Sequence, residues 1–238
     1  MYFDFGYLLV GLVFATSRVS ASPLHLGRRA VINHDTVTSF PQTVPAGVEG
    51  SLMLKYKPWL EVYNGCVPFP AVNAAGDTSG GLPTSGAPNS RCGKSLGQVY
   101  SRAGTYNGAF GIMYAWYMPK DSPSAGLGHR HDWENVVVWL SSASETATVR
   151  GVAISAHGKY QKTSGHFSGT RPRIGYISIW PVNHQLIDTV EQGGEQPLIA
   201  WDSLTPAARS AIETTNFGSA TPSFRDNNFQ SYLERSFI

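Results

Sequence analysis

From Gly128 to Leu140 the chain reads Gly-His-Arg-His-Asp-Trp-Glu-Asn-Val-Val-Val-Trp-Leu, so two imidazoles and two carboxylates run straight into an apolar strand. A third acid, Asp121, lies upstream across a Ser/Pro/Gly-rich link. Two carboxylates about 4 Å apart repel by ~4 kcal/mol at an effective dielectric of about 20. A fold that gathers these groups must therefore leave them in solvent or offset their charge with a cation. In an extended strand alternate residues share a face. Glu134 then lies with Val136, Val138 and Leu140, and Trp133 with Asn135, Val137 and Trp139. A carboxylate at the first position of a valine face belongs at the rim of a pocket. The Gly126–His131 loop can fold His129 and Asp132 toward that rim, and Asp121 ends the neighbouring strand. The plainer alternative is a solvated acidic loop.

The candidate ligands are Asp121, His129, Asp132 and Glu134, a set rich in oxygen and free of thiolate. Such a set favours Mg²⁺, Ca²⁺ or Mn²⁺ over Zn²⁺, which prefers Cys and several His. A metallohydrolase with zinc on His129 and His131 and with Glu134 as general base is the rival reading. The two histidines are two apart rather than four, so the helical zincin spacing is missing. No Ser-His-Asp order or nucleophile elbow is visible either.

The N-terminus reads as a secretory signal peptide over residues 1–21. Its apolar run, Phe5 to Ala15, is too short for a membrane span, and Val19-Ser20-Ala21 is a small-x-small cleavage pattern. The usual positive start is missing, and Asp4 is acidic. Arg28-Arg29 is either a second trimming site or an ordinary basic pair. The mature chain is expected to be exported and soluble. Residues 22–238 suit a single domain of roughly 210 residues, with residues 22–48 extended or loose at its start. A net charge of +2, with no Lys/Arg cluster interleaved with aromatics, gives no case for nucleic acid. In an exported chain the two cysteines, Cys66 and Cys92, are expected to pair. A loop of about 27 residues closed this way is worth roughly 3.5 kcal/mol in the chain-entropy model. No Asn-x-Ser/Thr sequon is present.

Only 14% of residues are charged, while glycine and aromatics are plentiful, which favours strands and turns. Val48 to Lys55 fits a short helix, and Trp59 to Tyr63 a strand ending at the Asn64-Gly65 turn. Phe110 to Met118 reads as a strand, with Phe110, Ile112, Tyr114, Trp116 and Met118 on one face and Pro119 ending it. Further strands are expected over Glu134–Leu140, Thr148–Ala156 and Arg173–Trp180. Thr205 can cap a helix with Pro206 at its first position and Gly218 past its end. Asp226 can cap a last helix carrying Phe229, Tyr232, Leu233 and Phe237 at helical spacing. The fold class is mainly β, an antiparallel β-sandwich with a few peripheral helices.

The run AFGIMYAWYMPKDSPSAGLGHRHDWE, residues 109–134, resembles the signature of the necrosis- and ethylene-inducing-peptide-like proteins. The resemblance extends to Lys55-Tyr56-Lys57-Pro58, Asn64-Gly65-Cys66, Ser155-Ala156-His157-Gly158 and the region from Trp180 to His184, so it covers nearly all of the mature chain. Two cysteines are similar to the single-disulfide branch. The family is one of secreted proteins of fungi, oomycetes and bacteria, many of them cytolytic on eudicot plants.

The resemblance implies a sandwich similar to actinoporins and fungal lectins. It implies action at the outer leaflet of the host plasma membrane, on the sugar headgroups of glycosylinositol phosphorylceramide sphingolipids, without enzymatic turnover. It aligns the divalent-cation site, Mg²⁺ or Ca²⁺, with Asp121, His129, Asp132 and Glu134. Arg130 and His131 belong to the motif, as ligand contacts or as braces of the loop. His157 and His184 match positions near the same cavity, and Trp180 falls where a membrane-facing aromatic is expected. Segment 109–130, released as a peptide, is implied as a ligand of plant pattern-recognition receptors. A monomer in solution is expected. A non-cytolytic sugar binder or immune elicitor is the alternative within the family.

Overall fold

The computed structural model describes Met1, Tyr2 and residues 29–238. Apart from its first two residues, the expected signal peptide lies outside the described residues. In chain order the elements are β1 (Val31–Ile32), α1 (Val48–Lys55), β2 (Trp59–Val62), β3 (Thr78–Ser79) and β4 (Val99–Tyr106). Then come β5 (Ala109–Asp121), β6 (His129–Leu140), β7 (Val149–Ala156), β8 (Lys159–Thr163) and β9 (Phe167–Ser168). The last are β10 (Arg171–Ile177), β11 (Gln185–Asp188), β12 (Leu198–Ala200), α2 (Pro206–Thr214) and α3 (Phe229–Ser236).

Six strands form the larger sheet in the order β12-β4-β5-β6-β7-β8. The smaller sheet runs β11-β10-β2, with β9 pairing β10, and its β11 packs against β6 and β7 of the larger one. Pairing from β4 to β8 is antiparallel throughout, as expected of the sandwich, but β12–β4, β2–β10 and β1–β3 are parallel.

Every residue of β5 is buried, because this central strand is covered on both faces. On one face, toward the smaller sheet, the Tyr114 hydroxyl donates to the Met53 carbonyl (2.8 Å) and the Trp116 indole to Gln196 (2.9 Å). On the other, Tyr117 and Trp133 pack against Phe217, and the Trp139 indole donates to Ser236 at the end of α3 (2.9 Å). Burying each large apolar side chain in this way contributes about 1.5–3 kcal/mol.

Pro119 does not end its strand. Its carbonyl accepts from the Leu82 amide at 2.8 Å, so its polar edge points away from β6, and the missing N–H costs no ladder bond there. Pairing of β5 with β6 continues to Lys120–Arg130 and Asp121–His129. The strand expected to begin at Glu134 therefore starts at His129. The strand expected to reach Trp180 stops at Ile177, leaving Trp180 on the loop to β11.

Thr205 caps α2 as expected, its hydroxyl accepting from Ala208 N at 3.1 Å. Asp226 does not cap α3; Asn228 holds the N-cap position, and Asp226 pairs with Arg102 at 2.9 Å. From residue 29 onward the segment expected to be extended or loose is tied down. β1 lies parallel to β3, Val37 and Phe40 are buried, and Thr43 bridges Ile199. Cys66 and Cys92 form the expected disulfide, with Cα atoms 4.9 Å apart.

Candidate functional site

Simple alternation would put the odd-numbered His129 on the opposite face of β6 from Asp132 and Glu134. His131 breaks that alternation with φ of 61°, a left-handed conformation uncommon outside glycine but tolerated by His. The kink lies opposite Pro119, where the register skips a pair. It turns His129 into the same cavity as the residues that follow. One ligand atom each from Asp121, His129 and Asp132 then lies within 4.8 Å of the others. The surrounding cavity is about 250 Å³ and is also lined by Glu134, Ser155, His157 and His184.

The histidines' hydrogen bonds decide their tautomers. His129 Nδ1 lies 2.7 Å from the His131 carbonyl. A carbonyl only accepts, so Nδ1 carries the proton, and Nε2 keeps its lone pair when the ring is neutral. That Nε2 is 3.7 Å from Asp121 Oδ2. His184 Nδ1 donates to Asp121 Oδ1 at 2.6 Å, and the His184 amide donates to both carboxylate oxygens at 3.1 Å. Backing of a ligand by such bonds orients metal sites generally. The other His184 nitrogen, Nε2, is buried and without a partner among the described residues. It fills the space a Cβ on Gly65 would take, 2.3 Å away.

Asp132 is buried and accepts from the Tyr176 hydroxyl at 2.7 Å. Burial first, and then the negative charge of Asp121, push its carboxyl up to about 6. Glu134 is driven upward too, by burial and by Asp132. Its carboxylate takes a hydrogen bond from the Ser155 hydroxyl. Glu134 thus faces the same cavity but stands outside the group of three that could share an ion. Crowded buried carboxylates of raised pKa, together with an imidazole nitrogen held bare, are what a divalent cation would relieve. The donor set fits a hard cation held in part through water.

The remaining candidates fall into two groups. Arg130 is exposed and donates to the Gly80 carbonyl at 2.8 Å. His131 is buried against Phe217 and bonded to the Tyr117 hydroxyl at 2.7 Å. Burial and the neighbouring Arg130 charge lower its pKa to about 4, so it stays neutral. Both residues hold the loop from behind. His157, at the β7–β8 turn, lines the cavity and an adjoining apolar hollow. That hollow is walled by Ile179, Trp180 and Val182, which are 71%, 69% and 47% exposed. Trp180 therefore lies on an open loop beside the acidic cavity.

Tyr176 and Ser155 are the site residues that motif spacing did not single out as ligand supports. Tyr176 comes from the other sheet, and no local signal could have found it. Ser155 opens the Ser-Ala-His-Gly stretch that also carries His157.

A family model described as "Necrosis inducing protein (NPP1)" matches residues 50–236. The chain belongs to the necrosis-inducing protein family. It is 43% identical over 232 residues to "NLP effector protein 10" of Phytophthora capsici, covering 94% of this chain and 99% of that one. A solved structure of "NLPPya in complex with mannosamine" superposes with a TM-score of 0.84 at 50% identity, over 88% of this chain and all of that one. The "non-toxic HaNLP3 protein" superposes with a TM-score of 0.82 at 42% identity, over 86% of this chain and 98% of that one. The same fold thus occurs in a protein described as non-toxic. Among the described residues no helix is long and apolar enough to cross a membrane.

Proposed function

We propose that this protein is a secreted cytolysin that grips the sugar headgroups of plant glycosylinositol phosphorylceramide sphingolipids at the acidic cavity and then damages the outer leaflet. The observation that carries this reading is the convergence of Asp121, His129 and Asp132 in one cavity, next to a loop with an open tryptophan. A relative of the same fold in complex with mannosamine supports the sugar part of it. A bound Mg²⁺ or Ca²⁺ would supply positive charge and exchangeable positions for sugar hydroxyls. Asp121, His129 and Asp132 would hold it, with Glu134 close enough to act through water.

The protein's own residues do the rest. His184 and Tyr176 fix the two aspartates, and Ser155 orients Glu134. Sugar held in the cavity brings the apolar loop of Ile179, Trp180 and Val182 against the lipid surface, where tryptophan is favoured. With no helix among the described residues long and apolar enough to cross a membrane and a charge of only +2, adhesion depends on these contacts.

The test is dye leakage from vesicles with and without the plant sphingolipid, in Mg²⁺ or Ca²⁺ and in chelator. Leakage confined to sphingolipid vesicles with cation present is expected. Equal leakage from plain phospholipid vesicles sinks the reading. The second reading, a non-cytolytic sugar binder or elicitor, is favoured by the likeness to the non-toxic relative. Segment 109–130 includes all of β5, which is buried. Receptors could read it only as a released peptide, so elicitation would survive loss of the cation site.

A further inference from the structure

Arg28-Arg29 is the only place in the chain where two Lys/Arg residues adjoin. Immediately after it the fold presents a carboxylate. The Ala30 amide donates to Asp77 Oδ1 at 3.0 Å. Asn73 Nδ2 donates to the other oxygen at 3.1 Å, and no Lys, Arg or His among the described residues forms a salt bridge with this aspartate. The Ala30 carbonyl accepts from Thr78 N at 2.9 Å, and β1 then runs parallel to β3. Arg29, Ala30 and Val31 are exposed, and among the described residues the Arg29 side chain has one hydrogen bond, to Thr214 Oγ1 (3.0 Å). A strand of two residues at an edge lifts at the cost of few bonds, so a protease can reach it.

We propose that the Arg29–Ala30 bond is a processing site for a dibasic-specific endoprotease, and that Asp77 is the seat of the ammonium group the cut creates. Water is consumed across the Arg29 carbonyl carbon and the Ala30 nitrogen. Arg29 departs with a carboxylate, and Ala30 keeps its nitrogen as a protonated amine. The single N–H that Asp77 accepts in the uncut chain becomes a charged donor facing its opposite charge at hydrogen-bond distance. The Ala30 amide already lowers the Asp77 pKa more than any other neighbour does.

The seat is coupled to the acidic cavity by short steps. β1 pairs with Thr78 and Ser79, and Gly80 N donates to the Ile32 carbonyl at 2.7 Å. Ser79 accepts from Tyr117, which bonds His131, and Gly80 accepts from Arg130. Ordering the new terminus would firm the strand pair that braces the His129–Asp132 loop.

The test treats the full chain and its Asp77→Asn and Arg29→Gln variants with a purified dibasic-specific endoprotease. N-terminal sequencing should find Ala30 at the new terminus, and Arg29→Gln should resist. Cleavage should raise Tm by about 1–4 °C in the parent and not in Asp77→Asn. The new amine should also react more slowly with an acylating reagent at neutral pH in the parent than in Asp77→Asn. This second readout does not depend on how stable the variant is. Failure to cut, a cut elsewhere, or equal Tm gain and equal amine reactivity in the two chains would overturn the proposal.

Discussion

The Tyr176 hydroxyl donates to Asp132 Oδ2 at 2.7 Å, joining the smaller sheet to the acidic end of the larger one. The same phenol ring stacks on His184, with centroids 4.6 Å apart, and His184 in turn holds Asp121. One aromatic side chain therefore positions both aspartates. Tyr176→Phe keeps the stacking and removes only the hydrogen bond. A bond to a buried carboxylate is worth about 1.5–3 kcal/mol, so Tm should fall by roughly 3–12 °C. Cation affinity, measured by calorimetry, should drop as well. An unchanged Tm would show that Asp132 does not need this donor.

Asp132→Asn separates folding from cation binding. The amide oxygen can still accept from Tyr176, while the buried charge and its repulsion with Asp121 are gone. Metal-free Tm at pH 7 should hold or rise, and cation binding and sphingolipid-dependent leakage should be lost. A marked fall of Tm in chelator would make the carboxylate a structural group instead.

The pH dependence follows from the upward shift of Asp132 to about 6. In the metal-free protein the folded state binds this proton more tightly than the unfolded chain does. The stability it confers is therefore fully present below the unfolded value of about 3.9 and is lost as pH rises through 6. Relative to Asp132→Asn, the parent should become less stable between pH 5 and 7. Cation affinity should run the opposite way, weakening by up to about tenfold per pH unit below 6 as the proton competes. Melting both chains across that range in chelator checks the first half, and titrating Ca²⁺ at each pH checks the second.

Gly65→Ala should damage the site from behind. Gly65 has φ of 81°, and its Cβ would lie 2.3 Å from His184 Nε2. The new methyl must push His184 away from Asp121. Tm should fall by several degrees and cation affinity at least tenfold, although no ligand is altered. If affinity is kept, His184 does not orient Asp121.

Trp180→Ala tests the loop. The side chain is 69% exposed, so stability should change by no more than about 0.5 kcal/mol. Binding of free headgroup sugar should persist while leakage of sphingolipid vesicles falls severalfold. A variant as lytic as the parent would assign membrane contact to another loop.

The apolar runs of Phe110–Met118 and Glu134–Leu140, the Thr205-Pro206 helix start and the cysteine pair are all legible residue by residue. Each is a short-range pattern with one stable outcome. The same holds for the acids and histidines of the motif, whose crowding already calls for charge compensation. Strand ends were less legible. Pro119 reads as a stop until the Leu82 amide is seen to donate to its outward carbonyl, and β4, with Ser, Arg and Gly among its residues, hides its pairing. What only the tertiary structure decided is which groups meet. The left-handed His131 puts His129 on the same side as Asp132. Tyr176 arrives from the other sheet and His184 from the loop between its strands β10 and β11, and Gly65 leaves the room His184 occupies. These contacts bridge residues far apart in the chain, and local propensity carries no information about them because their energy exists only once both sheets are packed.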